Sequence, residues 1–355
     1  MQACIAGIFC MKVSIYDVAH LAGVSISTVS RVLNRSGYVS SKTEKKVSDA
    51  MNKLNFVPNG VAQNLANSET KLIGLYFSLP PDSSRSLFST YVLEFINGVN
   101  SVLVQHGFHL LFINETNETD RILSNQTPPQ YYAFIKQKRI DGLILGSTPV
   151  VCSSLLELLT LKLPVVYIGE KLFEQAGMNV YARYKQYHRE VLDYFYERNH
   201  RRIAVLTMET APIKPVIRDF EAEKNGDDLM IKHFTYTNDL ISYLELIKTI
   251  FSQQGDKPTA LLLDDVSKTQ QTINFLNNLG LDVPNDVSLI TIEHNKNDGN
   301  QYVPAVTSVY VPAYQMAVEA ATLLFEYIQG KQETNREIIV TSTIIERNSV
   351  KTLTL

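Results

Sequence analysis

The chain has 355 residues, of which 45% are hydrophobic, and a formal net charge of -3. It is long enough for two or three compact units, and no apolar run is long enough to span a bilayer. Cys4, Cys10 and Cys152 are scattered without a Cys-x-x-Cys spacing, which excludes a disulfide framework or a cysteine zinc site and fits a reducing cytoplasm.

In chain order, the first ten residues, MQACIAGIFC, precede a second methionine at Met11 and lack a basic stretch. They read as an upstream start or a disordered tag rather than a signal peptide, a small membrane-affine tip being the less favoured alternative. Ser14 is placed to N-cap a helix from Ile15 to Ala22, with Asp17 completing a capping box. That helix presents Val18, Ala19 and Ala22 to a small core. Gly23 allows a tight bend, and Ser25 caps a second helix from Ile26 to Leu33. Val29, Val32 and Leu33 turn inward, leaving Ile26, Ser27 and Arg31 outside. Two short helices joined by such a turn make a helix-turn-helix, whose second helix lies in the major groove of DNA. There Ile26 and Ser27 suit a thymine methyl or a base edge, and Arg31 reaches a guanine or a phosphate.

A third helix opens at Ser41-Lys42-Thr43-Glu44, a second capping-box pattern, and its apolar residues Val47, Ala50, Met51 and Leu54 fall on one helical face. Beyond Pro58, residues 59–66 are too few for an isolated helix and are expected to order on DNA. Charge agrees. From Met11 to Thr70 seven basic residues face four acidic ones, a local +3 that leaves -6 for the remainder. That asymmetry suits a basic reader of DNA joined to a neutral-to-acidic sensor.

The run from Ser14 to Ala66 resembles the DNA-binding head of the lac/galactose repressor family of bacterial regulators. The resemblance implies a DNA-contact set of Ser14, Ser25, Ile26, Ser27, Thr28, Arg31, Asn34, Tyr38, Ser40 and Thr43 in the head, with Asn59, Gln63, Leu65 and Ala66 in the hinge. Leu65 stands where the family places a leucine that wedges into the minor groove and kinks the duplex.

From Lys71 onward short apolar runs alternate with helical stretches. Strands are expected at Leu72–Ser78, Phe108–Asn114, Gly142–Gly146, Val165–Ile168, Ile203–Leu206, Ala260–Leu263, Ser288–Thr291 and Val306–Tyr310. Helices are expected at Tyr91–Gln105, Ser153–Leu161, Tyr184–Arg198, Leu240–Phe251, Lys268–Leu279 and Ala313–Gln329. The alternation means parallel sheet flanked by helices, and periodicity leaves open whether there is one sheet or two. Phrases such as Asn199-His200-Arg201-Arg202-Ile203-Ala204 and Leu279-Gly280-Leu281-Asp282-Val283-Pro284 extend the resemblance. It implies a two-lobed α/β sensor like the periplasmic sugar-binding proteins, behind the small all-α helix-turn-helix head.

On that basis the head is 11–58, the hinge 59–70 and the sensor 71–355. Lobe one is about 71–170 and 303–331, and lobe two 171–302 and 332–355. The expected mechanism has a homodimer on a near-palindromic operator, released when effector closes or twists the lobes. The chain lacks the leucine-heptad extension of tetrameric members, so a dimer is expected.

The ligand-contact residues implied are Ser78, Arg183, Arg218, Asp265 and Glu293. Arg218 stands where the family places an arginine for sugar hydroxyls or an anionic group, and Glu293 replaces its usual aspartate. The Ile217-Arg218 phrase is similar to one in regulators of galactoside use, so a galactoside or related sugar is the expected effector. The usual Asp-Asn and glycine before Val191 are absent, leaving Arg183, Tyr184, Lys185, Gln186 and Tyr187. That departure admits a non-sugar ligand, or a phosphocarrier protein acting as corepressor. Motifs for metal, phosphate-loop or nucleophilic catalysis are absent, and no cofactor is implied. The seven histidines lack ligand spacing, and Asp264-Asp265 and Asp227-Asp228 read as solvated turns.

Overall fold

The computed structural model describes residues 13–34, 36–58, 69–77, 89–115, 119–147, 151–172, 177–208, 213–224, 228–237, 239–252, 257–331 and 335–354. The chain divides into two compact units, one up to Lys71 and one from Leu72 onward.

The first unit packs α1 (Ile15–Ala22), α2 (Ile26–Asn34) and α3 (Ser41–Lys53) around Val18, Ala19, Ala22, Val29, Val47 and Ala50. Val32, Leu33, Met51 and Leu54 lean on that cluster, half-buried. Each helix start is held by a short polar side chain. The Ser14 backbone N–H and hydroxyl both donate to Asp17, at 2.8 and 2.7 Å, satisfying groups a helix terminus leaves open. Gly23 ends α1 at φ +64, a left-handed conformation that glycine adopts without penalty. The cap of α3 falls one residue earlier than the sequence pattern suggests. Ser40 is extended and accepts from the Thr43 amide at 3.4 Å, whereas Ser41 is already helical. Glu44 therefore does not close a box with Ser41.

In the second unit two six-stranded sheets stand in the orders β11-β5-β4-β3-β1-β2 and β12-β10-β9-β8-β6-β7. The first contains β1 (Leu72–Tyr76), β2 (His109–Ile113), β3 (Gly142–Leu145), β4 (Val165–Ile168), β5 (Met178–Tyr181) and β11 (Glu337–Ile339). The second contains β6 (Arg202–Met208), β7 (Met230–Tyr236), β8 (Ala260–Leu263), β9 (Ser288–Glu293), β10 (Thr307–Tyr310) and β12 (Thr343–Ile345). All pairings are parallel except β10 with β12. Alternate residues of one strand enter different cores: Ile144, Val166 and Leu262 share an apolar cluster that runs through both sheets. Leu143, Leu145 and Tyr167 face a second cluster, and Leu261, Leu263 and Leu289 a third. Burial on both faces explains why these strands read as unbroken apolar runs.

The helices include α4 (Thr90–His106), α5 (Thr119–Leu123), α6 (Gln130–Lys136), α7 (Ser153–Thr160), α8 (Tyr184–Glu197) and α9 (Lys214–Glu223). Further on come α10 (Leu240–Ser252), α11 (Thr269–Asn278) and α12 (Ala313–Ile328). Helix α12 packs along α4 and across β3, β4 and β5. The approach is close enough that a Cβ on Gly98 would collide with the Tyr314 carbonyl and Ala317.

The lobe boundaries differ from those expected. Strands β5 and β11, placed by the sequence reading in lobe two, stand in the first sheet, and β10, placed in lobe one, stands in the second. Strand β5 is hydrogen-bonded to β4 on one side and β11 on the other, so the backbone of both is satisfied only within the first sheet. The chain thus changes sheets after Tyr181, Tyr310 and Ile339. Strands β5, β7, β11 and β12, and helices α5, α6 and α9, were not anticipated from periodicity. Asn199, standing where the resembling family has glycine, takes φ +66, a region asparagine tolerates, and its amide donates to the Leu353 carbonyl at 2.7 Å.

Candidate functional site

In the head, burying Val29 on one side of α2 leaves Ile26, Ser27 and Arg31 exposed together on the other. At the start of this helix three hydroxyls form a cluster. Ser25 Oγ lies 2.8 Å from both Ser27 Oγ and Thr28 Oγ1, and accepts from the Thr28 amide at 3.2 Å. A helix N-terminus carrying free donors and hydroxyls suits phosphate oxygens and base edges. Tyr38 is 92% exposed, far beyond what a packing role requires. Ser40 is also exposed, and Thr43 and Ser14 are partly so, their side chains occupied in caps. Asn34 departs from the set: it is half-buried, and its amide donates to Ser30 Oγ at 3.3 Å. Tyr16 is 67% exposed and was missed from sequence, although its place outside the Val18-Ala19-Ala22 stripe marks it as outward. Asn59, Gln63, Leu65 and Ala66 lie outside the described residues.

In the second unit, open α/β sheets bind ligands beyond the carboxyl ends of their strands. Asp265 follows β8 and Glu293 ends its neighbour β9, and Tyr302 feels the charge of both, its hydroxyl donating to the Val266 carbonyl at 2.9 Å. Asp265 is half-exposed, one oxygen accepting from the Ser267 amide at 2.8 Å. Asp264 is not the solvated turn residue expected. It accepts from the Met208 amide at 2.8 Å and from the Tyr236 hydroxyl at 2.5 Å, tying β6, β7 and β8 together. Burial, and then the charge of Asp264, push the Tyr236 phenol far above its ordinary range.

Glu293 is corrected as a ligand contact. It is fully buried, and its oxygens are taken by Arg347 Nη2 at 3.0 Å and the Gly299 amide at 2.7 Å. Arg347 also donates to Asn300, Ser308 and the carbonyls of Lys296 and Val306. A buried carboxylate demands such a partner, and the partner lies 54 residues away. Helix α9 buries Val216, Ile217 and Phe220, which turns Arg218 outward, 77% exposed and paired with its neighbour Asp219 at 3.0 Å. Arg183 is exposed at the N-cap of α8, just past the first change of sheet, and its side chain reaches Tyr181. Asp265 and Glu293 thus stand at the carboxyl ends of neighbouring strands; Ser78 lies outside the described residues.

The stretch replacing the family's usual residues is filled with rings. His188 is fully buried, 3.9 Å from Tyr184 and 4.6 Å from Tyr187 between ring centroids. Burial holds its imidazole down at about 4. Among the described residues no group of histidine, cysteine and carboxylate side chains is arranged to hold a metal, and no helix is long and apolar enough to cross a membrane.

These features coincide with known proteins over nearly the whole chain. Residues 14–59 match the pattern of the bacterial regulatory proteins of the lacI family, and residues 192–350 that of the periplasmic binding protein-like domain. The HTH-type transcriptional repressor PurR of Vibrio atlanticus is 29% identical, over 96% of this chain and 99% of its own. The lac repressor dimer bound to operator and the anti-inducer ONPF superimposes with a TM-score of 0.78 at 21% identity, covering 96% of this chain and 99% of that one. The transcriptional regulator CelR in complex with cellobiose gives 0.63 at 22% identity, covering 95% and 99%. With the exposed hydroxyl and arginine face of α2 and the two largely parallel sheets, these matches identify a DNA-binding transcriptional regulator whose head is that of the lacI family of bacterial regulatory proteins and whose second unit carries a periplasmic binding protein-like domain.

Proposed function

We propose that this repressor controls carbohydrate-use genes in the cytoplasm and leaves its operator when a small sugar-like effector, a galactoside being the narrower expectation, binds its sensor. The observation that carries the effector reading is Asp265, a half-exposed carboxylate just past the end of β8. A half-exposed acceptor beyond the carboxyl end of a strand in an open α/β sheet suits the hydroxyls of such a ligand. The cellobiose bound by the CelR neighbour supports a sugar. Arg183 and Ser78 are the further effector contacts of this reading. Glu293 is removed from the ligand set and serves as support for the loop at 294–300.

On the DNA, Ile26, Ser27 and Arg31 read the major groove, Ser25 and Thr28 hold the backbone, and Tyr38, Ser40 and Thr43 reach phosphates. Two chains act as a dimer, which the lac repressor dimer on its operator supports, and the hinge residues Asn59, Gln63, Leu65 and Ala66 enter the minor groove. Head 11–58, hinge 59–70 and a sensor from 71 divide the work.

The test is a thermal-shift titration of the full chain against sugars, sugar phosphates and nucleobases, since a ligand of the folded state raises Tm with its concentration over Kd. A sugar that raises Tm, and loses that effect with Asp265→Ala, supports the reading. A rise confined to nucleobases overturns it. The second reading, a phosphocarrier corepressor, is favoured by the full burial of Glu293 and its pairing with Arg347. It is supported if only a phosphorylated carrier protein raises Tm or tightens operator binding.

A further inference from the structure

The loop that follows β9 leaves its own sheet and reaches the other lobe. Asn295 Nδ2 donates to Glu94 Oε1 on α4 at 2.7 Å, while Asn295 Oδ1 accepts from the Asn297 amide at 3.0 Å, which fixes the orientation of the side-chain amide. Beside it the His294 ring meets the edge of Tyr91, with centroids 4.9 Å apart. Both ends are anchored where movement between lobes would have to start. The Tyr91 hydroxyl donates to the Gly146 carbonyl past β3 at 2.7 Å, and His294 Nδ1 donates to the Val311 carbonyl at 3.1 Å. Val311 lies in the segment by which the chain returns from the second sheet to α12. The Glu293–Arg347 pair holds the same loop from behind, through the Lys296 carbonyl and the Gly299 amide.

A hydrogen bond to a carboxylate is worth more than one between neutral groups, and here it joins two lobes that the three crossings and a shared apolar cluster also link. We propose that Glu94–Asn295, with Tyr91 against His294, is a clasp that holds the two lobes together before any effector arrives. The ligand-free sensor is then already biased toward one lobe arrangement, and an effector acts on that preset equilibrium. The proposal rests on reading this unit as a two-lobed sensor.

The experiment needs no effector. Cys4, Cys10 and Cys152 are replaced by serine in the full chain, and spin labels are attached at Leu161→Cys and Ile241→Cys, exposed positions on lobe one and lobe two. Their separation is measured by pulsed electron paramagnetic resonance. Glu94→Ala and Asn295→Ala are each expected to shift the ratio of open to clasped populations by about tenfold, the loss of one charge-assisted hydrogen bond. Glu94→Gln, whose amide oxygen still accepts but carries no charge, is expected to shift that ratio less than Glu94→Ala does. Distributions in Glu94→Ala and Asn295→Ala that superimpose on the parent, with circular dichroism intact, overturn the clasp. So does equal opening in Glu94→Gln and Glu94→Ala. If no sugar binds in the thermal-shift titration, the effector reading fails while this measurement stands on its own.

Discussion

The head and the sensor solve opposite problems with the same chemistry. The head spends its few polar groups locally: Ser14 with Asp17, Ser25 with Thr28 and Ser40 with Thr43 all lie three residues apart. The sensor spends its own across long stretches of chain, Glu293 on Arg347, Asp264 on Tyr236 and Glu94 on Asn295. Local pairs leave the neighbouring α2 face free to meet DNA. Long-range pairs consume groups that would otherwise meet a ligand, so a residue type at a family position says less in the sensor than in the head.

The largest effect that sharpens this comparison is expected from Arg347→Ala. It strands a fully buried carboxylate, and such breaks cost about 3–5 kcal/mol. Thermal unfolding should show a large fall in Tm that Glu293→Gln in the same chain partly restores. No restoration would mean that the loop, not the charge, suffers.

Next comes Val29→Ala, at a residue with no exposure in a head core of few members. It should cost about 1–3 kcal/mol, abolish operator binding, and leave the sensor's melting transition where it was. A shifted sensor transition would show that the two units do not unfold independently.

The third effect is pH dependence. Burial holds His188 at about 4, against about 6.5 in an unfolded chain. The unfolded state therefore takes up its proton first, and His188 destabilises the fold increasingly as pH falls from 6.5 toward 4. His200, held at about 4 mainly by burial, acts in the same direction. His188→Gln should flatten the fall of Tm across that window, and an unchanged slope would assign the acid sensitivity elsewhere.

Smaller still, Ser40→Ala should cost about 1 kcal/mol through the lost cap of α3, whereas Ser41→Ala should be near neutral in the same urea titration. Last, Arg218→Ala should leave ligand response intact; a repressor that still binds DNA but no longer responds would return Arg218 to the site.

Local sequence determined the head almost to the residue. Helix periodicity, the caps and Gly23 act within four residues of one another, so α1, α2 and α3 and the inward set of Val18, Val29 and Val47 were legible. Most of the central parallel strands were equally plain, because burial on both faces demands unbroken apolar runs such as Ala260–Leu263. The edge strands β11 and β12 were not: they are three residues each and partly exposed, and only hydrogen bonding to β5 and β10 makes them strands. The same limit applies to the site. The sequence displayed Glu293 and Arg218 as charged residues at suggestive positions. Only the tertiary structure decided that one would be neutralised by Arg347 and the other turned to solvent by the packing of Val216, Ile217 and Phe220. A buried charge is settled by whichever opposite charge the fold brings to it, and no spacing along the chain records that meeting.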